Sequence, residues 1–407
     1  MVLRFILFFT ISTLVFLLVS YYIGRRLIKP LKIDRTFKRL LWLAVFLTPL
    51  LIPVSFMLRI GAAGSPRAGI IVWFTYMSMG FLSIVLALVL LRDFGWGCLV
   101  LYQKIKSRLK NKFSANLKEN SSAPYDASRR QFLINSLNFG IIGTSGILSG
   151  YGLYEARRKP ILEEIEIAIP NLPPDLHDFR IVQFTDVHAG PTIRRGFVES
   201  IVNQINLLQP DLIVCTGDMV DGSVPELSRE VEPVRDLYAS HGVYFVTGNH
   251  DYYSGAEPWI DELQRFGMKV LLNEHRLLHH KNGKLILAGV NDYTASQFIR
   301  EHTSDPSKAL QGAGTADLKI LLAHQPRNIF EAAASGYDLQ ISGHTHGGQY
   351  VPWNYFVRLT QPYISGLHRH ENTWIYVSRG TGYWGPPLRL GAPSEVTLLR
   401  LVPQKTV

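Results

Sequence analysis

The chain has 407 residues, 47% of them hydrophobic, a formal net charge of +10 and two cysteines. It is too long for one small domain. Cys98 and Cys215 are too few for a disulfide framework, and the absence of a CxxC pair argues against thiolate zinc sites. The Lys/Arg excess sits mostly in the first part, between long apolar runs. It therefore reads as membrane-flanking charge, and no nucleic-acid polymer is expected as a partner.

Four stretches are apolar enough to span a bilayer, which takes about 20 residues each. They lie near 5–24, 40–58, 69–91 and 132–154, the last being weaker because of its Gly, Ser and Asn content. Arg25, Arg26, Lys29, Lys32, Arg35, Lys38 and Arg39 follow the first span. Only Arg59 and Arg67 separate the second from the third, whereas many Lys and Arg, from Arg92 to Arg130, separate the third from the fourth. The alternation puts the first and third loops in the cytoplasm. The part after the fourth span then lies on the outer, periplasmic side of the cytoplasmic membrane. Within the third loop, Ser114–Ser128 reads as a polar linker. "SRRQFL" (Ser128–Leu133) is similar to a twin-arginine export signal, with Ile134 where a Lys usually follows. Its rival reading is two ordinary flanking arginines. Both place the arginines inside.

From Ile161 the pattern changes to short apolar strands separated by helical or polar stretches. "FRIVQFTDVHAG" ends in Asp186 and His188, "PDLIVCTGDMVDG" reaches Asp218 and Asp221, and "GVYFVTGNHDYY" reaches Asn249, His250 and Asp251. "LKILLAHQP" then carries His324, and "LQISGHTHGGQY" carries His344 and His346. Phe197, Ile201, Ile205 and Leu208 repeat at helical spacing between two of these runs. Each polar group stands where a strand stops, the usual place for ligands in such sheets. Histidines at i and i+2 on extended backbone point the same way, which suits a cation. Asp186, His188, Asp218, Asn249, His250, His324, His344 and His346 form an imidazole-carboxylate set without thiols. Such donors suit Mn, Fe or Zn. The set is larger than one four-coordinate ion needs, so two divalent ions sharing a carboxylate are expected.

The order D-x-H, G-D-x-x-D, G-N-H-D, a lone His and G-H-T-H resembles the calcineurin-like metallophosphoesterases, over roughly the last 240 residues. "GHTHGGQ" with the apolar spans resembles the membrane-anchored subgroup, which includes exported bacterial phosphodiesterases. The resemblance implies a four-layer α/β/β/α sandwich over 161–407, preceded by a bundle of about four transmembrane helices in 1–160. It implies that Asp186, His188 and His346 hold one metal, and that Asn249, His324 and His344 hold the other. Asp218 bridges the two. His250 would serve the leaving group, with Asp251 orienting it. A metal-bridging hydroxide would attack phosphorus. Asp221 stands where purple acid phosphatases place a metal-binding tyrosine, which argues against a purple-type iron site; taken by itself it reads equally as a turn or cap residue. Arg379 and Arg389 could touch a substrate phosphate, but surface salt bridges are the simpler expectation for both.

The expected activity is that of a dimetal phosphodiesterase acting on a lipid-linked or envelope phosphoester, a role in lipid metabolism. The alternative is a catalytically inactive metal-binding sensor or assembly protein of the membrane.

Overall fold

The computed structural model describes residues 2–61, 65–113 and 127–404. The polar linker expected over Ser114–Ser128 lies, up to residue 126, outside the described residues. The chain divides into two compact units: Met1–Pro53 with Ser78–Gly150, and Val54–Met77 with Tyr151–Val407.

The N-terminal region is helical: α1 (Val2–Leu27), α2 (Arg35–Gly61), α3 (Pro66–Phe113) and α4 (Ala127–Arg157). Among the described residues, three runs rather than the expected four are long and apolar enough to cross a membrane. These are Arg35–Leu58, Arg67–Leu109 and Gln131–Arg157. The span expected at Phe5–Gly24 is helical in α1, but most side chains of its first turns lie outside the described residues. Within the first unit, α1 and α2 meet closely: a β-carbon on Gly24 would sit 2.4 Å from the Trp42 ring. Asp93 of α3 pairs with Arg26 of α1 at 2.7 Å and with Arg92 at 2.9 Å. Arg92 also donates to Asn138 of α4, whose Nδ2 donates to the Arg26 carbonyl at 3.3 Å. Apolar helices in hydrocarbon gain little from hydrophobic contact with each other, so polar links of this kind carry more of their association.

The second unit holds two six-stranded mixed sheets. The first contains β1 (Ile161–Ile169), β2 (Arg180–Phe184), β3 (Leu212–Cys215), β4 (Val243–Phe245), β5 (Lys269–Val270) and β12 (Glu395–Pro403), in the order β1-β12-β2-β3-β4-β5. The second contains β6 (Glu274–His280), β7 (Gly283–Gly289), β8 (Leu318–Leu322), β9 (Leu339–Ser342), β10 (Gly366–His370) and β11 (Thr373–Val377), in the order β10-β11-β9-β8-β7-β6.

Side-chain alternation explains the layers. In β3, Leu212 and Val214 enter the core between the sheets, while Ile213 and Cys215 face the other way. In β7, Leu285 and Leu287 enter the same core, while Ile286 and Ala288 face outward. The outer face of the first sheet is covered by α5 (Arg195–Leu207), α6 (Val224–Val231) and α8 (Ala256–Arg265). Between α6 and α8 lies the short helix α7 (Asn249–Tyr253). In α5, Val198, Ile201, Val202 and Ile205 are the buried stripe, while Phe197 and Leu208 are only partly covered. The second sheet is covered by α9 (Pro306–Ala309) and α10 (Ile329–Ala334). This is the expected four-layer α/β/β/α arrangement. Strands β2, β3 and β4 are mutually parallel, as are β7, β8, β9 and β11, so several strand ends of each sheet lie together.

Candidate metal centre

The loops after β2 and β3 run on side by side past the strands. Asp186 N–H donates to the Gly217 carbonyl at 3.0 Å, and His188 N–H to the Asp218 carbonyl at 3.1 Å. The loop after β9 joins them from the other sheet, its His344 N–H donating to the Asp186 carboxylate at 3.0 Å. Asp186, His188, Asp218, His344 and His346 all have φ between 52° and 73°. That left-handed region is uncommon outside glycine, and a cluster of such residues marks a functional loop set. Two glycines allow the close approach. A β-carbon on Gly343 would lie 2.2 Å from Asp186 Oδ2, and one on Gly248 would lie 2.2 Å from Asp218 Oδ1.

Three donor groups result: the two triads described next, and His188, Asp221 and His250. Asp186, His188 and His346 form one, with His188 Nε2 3.1 Å from His346 Nε2 and His346 Nε2 3.5 Å from Asp186 Oδ1. Asp218, His324 and His344 form the other, with His344 Nδ1 3.1 Å from His324 Nε2. Asp218 Oδ2 lies 3.2 Å from His324 Nε2 and 3.7 Å from His188 Nε2, so it stands between the triads. Its Oδ1 accepts from His250 N–H at 2.8 Å. The His324 ring meets the Thr216 carbonyl through Nδ1 at 2.7 Å, which directs Nε2 toward Asp218. Asn249 Oδ1 is buried with no hydrogen-bond partner, as an amide oxygen set aside for a cation would be. These residues fit divalent ions: hard and borderline donors converge, and one buried acceptor lacks any other use.

The charges of the cluster set its electrostatics. Burial pushes Asp218 up, but the neighbouring His324, His250 and His188 outweigh it and hold the carboxyl well below its usual range. Burial disfavours the charged form of His324, yet Asp218 and Asp186 raise its pKa to about 10. Burial and the His324 charge push His344 down to about 3. Burial and the Arg389 charge push His346 well below its usual value, which keeps that imidazole neutral.

Three residues behave differently from the sequence expectation. Asp221 lies among the site histidines. Its Oδ1 lies 2.7 Å from His250 Nδ1 and its Oδ2 lies 3.2 Å from His188 Nδ1. The G-D-x-x-D spacing was the available signal. Asp251 holds backbone: its carboxylate accepts from Asp218, Met219 and Gly248 N–H at 2.9, 3.0 and 2.7 Å. The acid facing the His250 ring is Asp221. Arg389 makes no surface salt bridge; it is fully buried. Its Nη1 donates to the carbonyls of His346 and Arg379 at 2.8 and 2.7 Å, and its Nη2 stands 3.0 Å from His346 Nδ1. No local pattern marks it. Arg379 does form salt bridges, with Glu163 and Glu395.

His250 is flanked by rings: His188 at 4.7 Å, Tyr253 at 5.0 Å and Trp384 at 5.5 Å between centroids. Of the histidines outside the motifs, His241 and His280 pair at 3.1 Å beside Phe179, and His302 meets the Tyr252 hydroxyl at 2.8 Å.

The model of the calcineurin-like phosphoesterase family matches residues 179–348, the stretch that carries both triads. The chain is 39% identical over 282 residues to an uncharacterized metallophosphoesterase of Helicobacter pylori, covering 68% of this chain and 73% of that one. It is 34% identical over 333 residues to a transmembrane protein with metallophosphoesterase domain of Danio rerio, covering 80% and 73%. Among solved structures it is similar to the Haemophilus influenzae NAD nucleotidase, at 15% identity and a TM-score of 0.37. The match covers 50% of this chain and 45% of that one. The chain belongs to the calcineurin-like metallophosphoesterases, and it is a metal-dependent phosphoester hydrolase. Its apolar helices and the relatives named as transmembrane proteins together point to membrane association.

Proposed function

We propose that residues 161–407 form a two-metal phosphodiesterase domain, held at the outer face of the cytoplasmic membrane by the helices of 1–160. Its substrate is a lipid-linked or envelope phosphoester. The observation that carries the two-metal reading is the place of Asp218 Oδ2 between His324 and His188. Asp186, His188 and His346 would hold one divalent ion, Asn249, His324 and His344 the other, with Asp218 shared. Mn, Fe or Zn bound there would supply an activated water and offset charge developing on the phosphoryl oxygens.

The remaining work belongs to side chains. His250 Nδ1 faces Asp221, so its Nε2 is the atom that would hand a proton to the leaving oxygen. Asp221 orients that ring and His188 together. Asp251 fixes the backbone of the Asp218 and Gly248 loops, and Arg389 fixes the His346 loop. Tyr253 and Trp384 wall the ring of His250 and limit its access to water. What supports a lipid-linked substrate is the set of helices long and apolar enough to cross a membrane.

The test is metal content and turnover of the full chain in detergent. Two ions per chain, with a chromogenic phosphodiester cleaved faster than the matching monoester, would support the reading. His250→Ala should keep both ions and lose about a hundredfold or more in turnover. Two bound ions without turnover under Mn, Fe or Zn would instead favour the non-catalytic metal-binding protein.

A further inference from the structure

Within the second unit, the first turns of α3 approach the loop that follows His188. A β-carbon on Gly69 would lie 3.5 Å from the Pro191 carbonyl oxygen. Around this contact lies a cavity of about 480 Å³ lined by Gly69, Ile70, Trp73, Arg157, Thr192 and Arg194. An adjoining cavity of about 240 Å³ shares Arg157, Thr192 and Arg194, and is closed by Phe197 and Tyr383. The lining is divided in chemistry. Ile70 and Trp73 are exposed apolar side chains of a helix apolar enough to cross a bilayer. Arg157 is the cation that ends α4, and Arg194 is the cation just before α5. Arg194 meets Glu230 through Nη1 at 3.3 Å, which uses one end of a fork with five donors. The Tyr383 hydroxyl donates to the Thr192 carbonyl at 3.1 Å and so fixes the loop between the arginines.

Position names the ligand. Consecutive spans put the start of one and the end of the next on the same face of a bilayer. Gly69 lies in the first turn of α3 and Arg157 is the last residue of α4, so both stand at one membrane surface. Trp is the residue favoured at headgroup depth. Two guanidiniums beside an apolar, Trp-bearing helix face complement a phosphate attached to acyl chains. We propose that this cavity binds the phosphate headgroup of an anionic glycerophospholipid of the bilayer, with Arg157 and Arg194 on the phosphate and Ile70 and Trp73 along the lipid. The site does not depend on the phosphodiesterase reading, because none of its residues belongs to the metal centre.

The experiment is native mass spectrometry of the full chain in mild detergent, with phosphatidylglycerol and phosphatidylcholine of matched acyl chains as probes. Wild type should retain one phosphatidylglycerol about tenfold better than phosphatidylcholine, a difference of about 1.4 kcal/mol. Arg157→Gln with Arg194→Gln should abolish that preference. Arg157→Lys with Arg194→Lys should restore part of it, and Arg276→Gln, on another surface, should leave it unchanged. Because Arg157 is exposed, Arg157→Gln alone serves as a second, fold-sparing variant and should halve the preference or better. Equal retention of both lipids by wild type, or an unchanged preference in folded Gln variants, would overturn the proposal. Displacement of the bound lipid by millimolar inorganic phosphate would assign the site to a soluble phosphate and overturn it too.

Discussion

Arg389 Nη2 lies 3.0 Å from His346 Nδ1, and both side chains are buried. A permanent cation behind an imidazole keeps that imidazole neutral, which is the form a metal needs. The same guanidinium ties His346, Arg379 and Ala392 together through their carbonyls. Arg389→Gln should therefore cost about 3 kcal/mol of stability, since hydrogen bonds to a charged donor are lost at a buried site. Metal content measured beside the unfolding transition should fall in the same variant.

Asp221 touches both His188 and His250, so its removal should act on two readouts at once. Asp221→Asn is expected to weaken metal affinity and lower kcat, each by about 10- to 100-fold. His250→Ala should lower kcat alone. Combining the two should cost less than the product of the single effects, because the second change removes a group already misplaced. Steady-state kinetics with metal titration of the three variants checks this.

Asp251 is a scaffold residue by its contacts. Asp251→Ala would leave the amides of Asp218, Met219 and Gly248 without their acceptor. Each buried amide left so costs about 1–3 kcal/mol, so thermal denaturation should show a marked loss of stability even in metal-free protein. A variant with wild-type stability and reduced kcat would return Asp251 to a direct catalytic role.

Gly343→Ala should abolish metal binding, because its β-carbon would collide with the Asp186 carboxylate and with Thr185 Oγ1, 2.5 Å away. Gly314→Ala, where nothing lies within 4 Å, should bind metal as wild type does. Elemental analysis of the purified variants decides between them.

Chelation should lower the melting temperature. Asp186 and Asp218 are buried in one site, and ions that bind only the folded form stabilise it by mass action. Restoring Mn, Fe or Zn should raise it in wild type and raise it less in Asp218→Asn.

Much of this protein was legible in its residues taken in order. Hydrophobic runs of membrane length, short continuous apolar strands and polar groups at strand ends are local patterns, set by bilayer thickness and by sheets buried on both faces. The D-x-H, G-N-H-D and G-H-T-H blocks named the residues that the fold gathers. Only the tertiary structure decided their partners. His344 and His346 are two positions apart, yet left-handed backbone at both turns one toward His324 and the other toward His188. Asp251 sits beside His250 in sequence but spends its oxygens on backbone, while Asp221, 29 positions away, takes the ring. Arg389 lies 43 positions from His346 in a stretch with no motif, and it can be part of the site only because the fold gives this buried cation several carbonyl partners. Such contacts join loops from separate strands, and a pairing made across two sheets leaves no periodic trace in either segment.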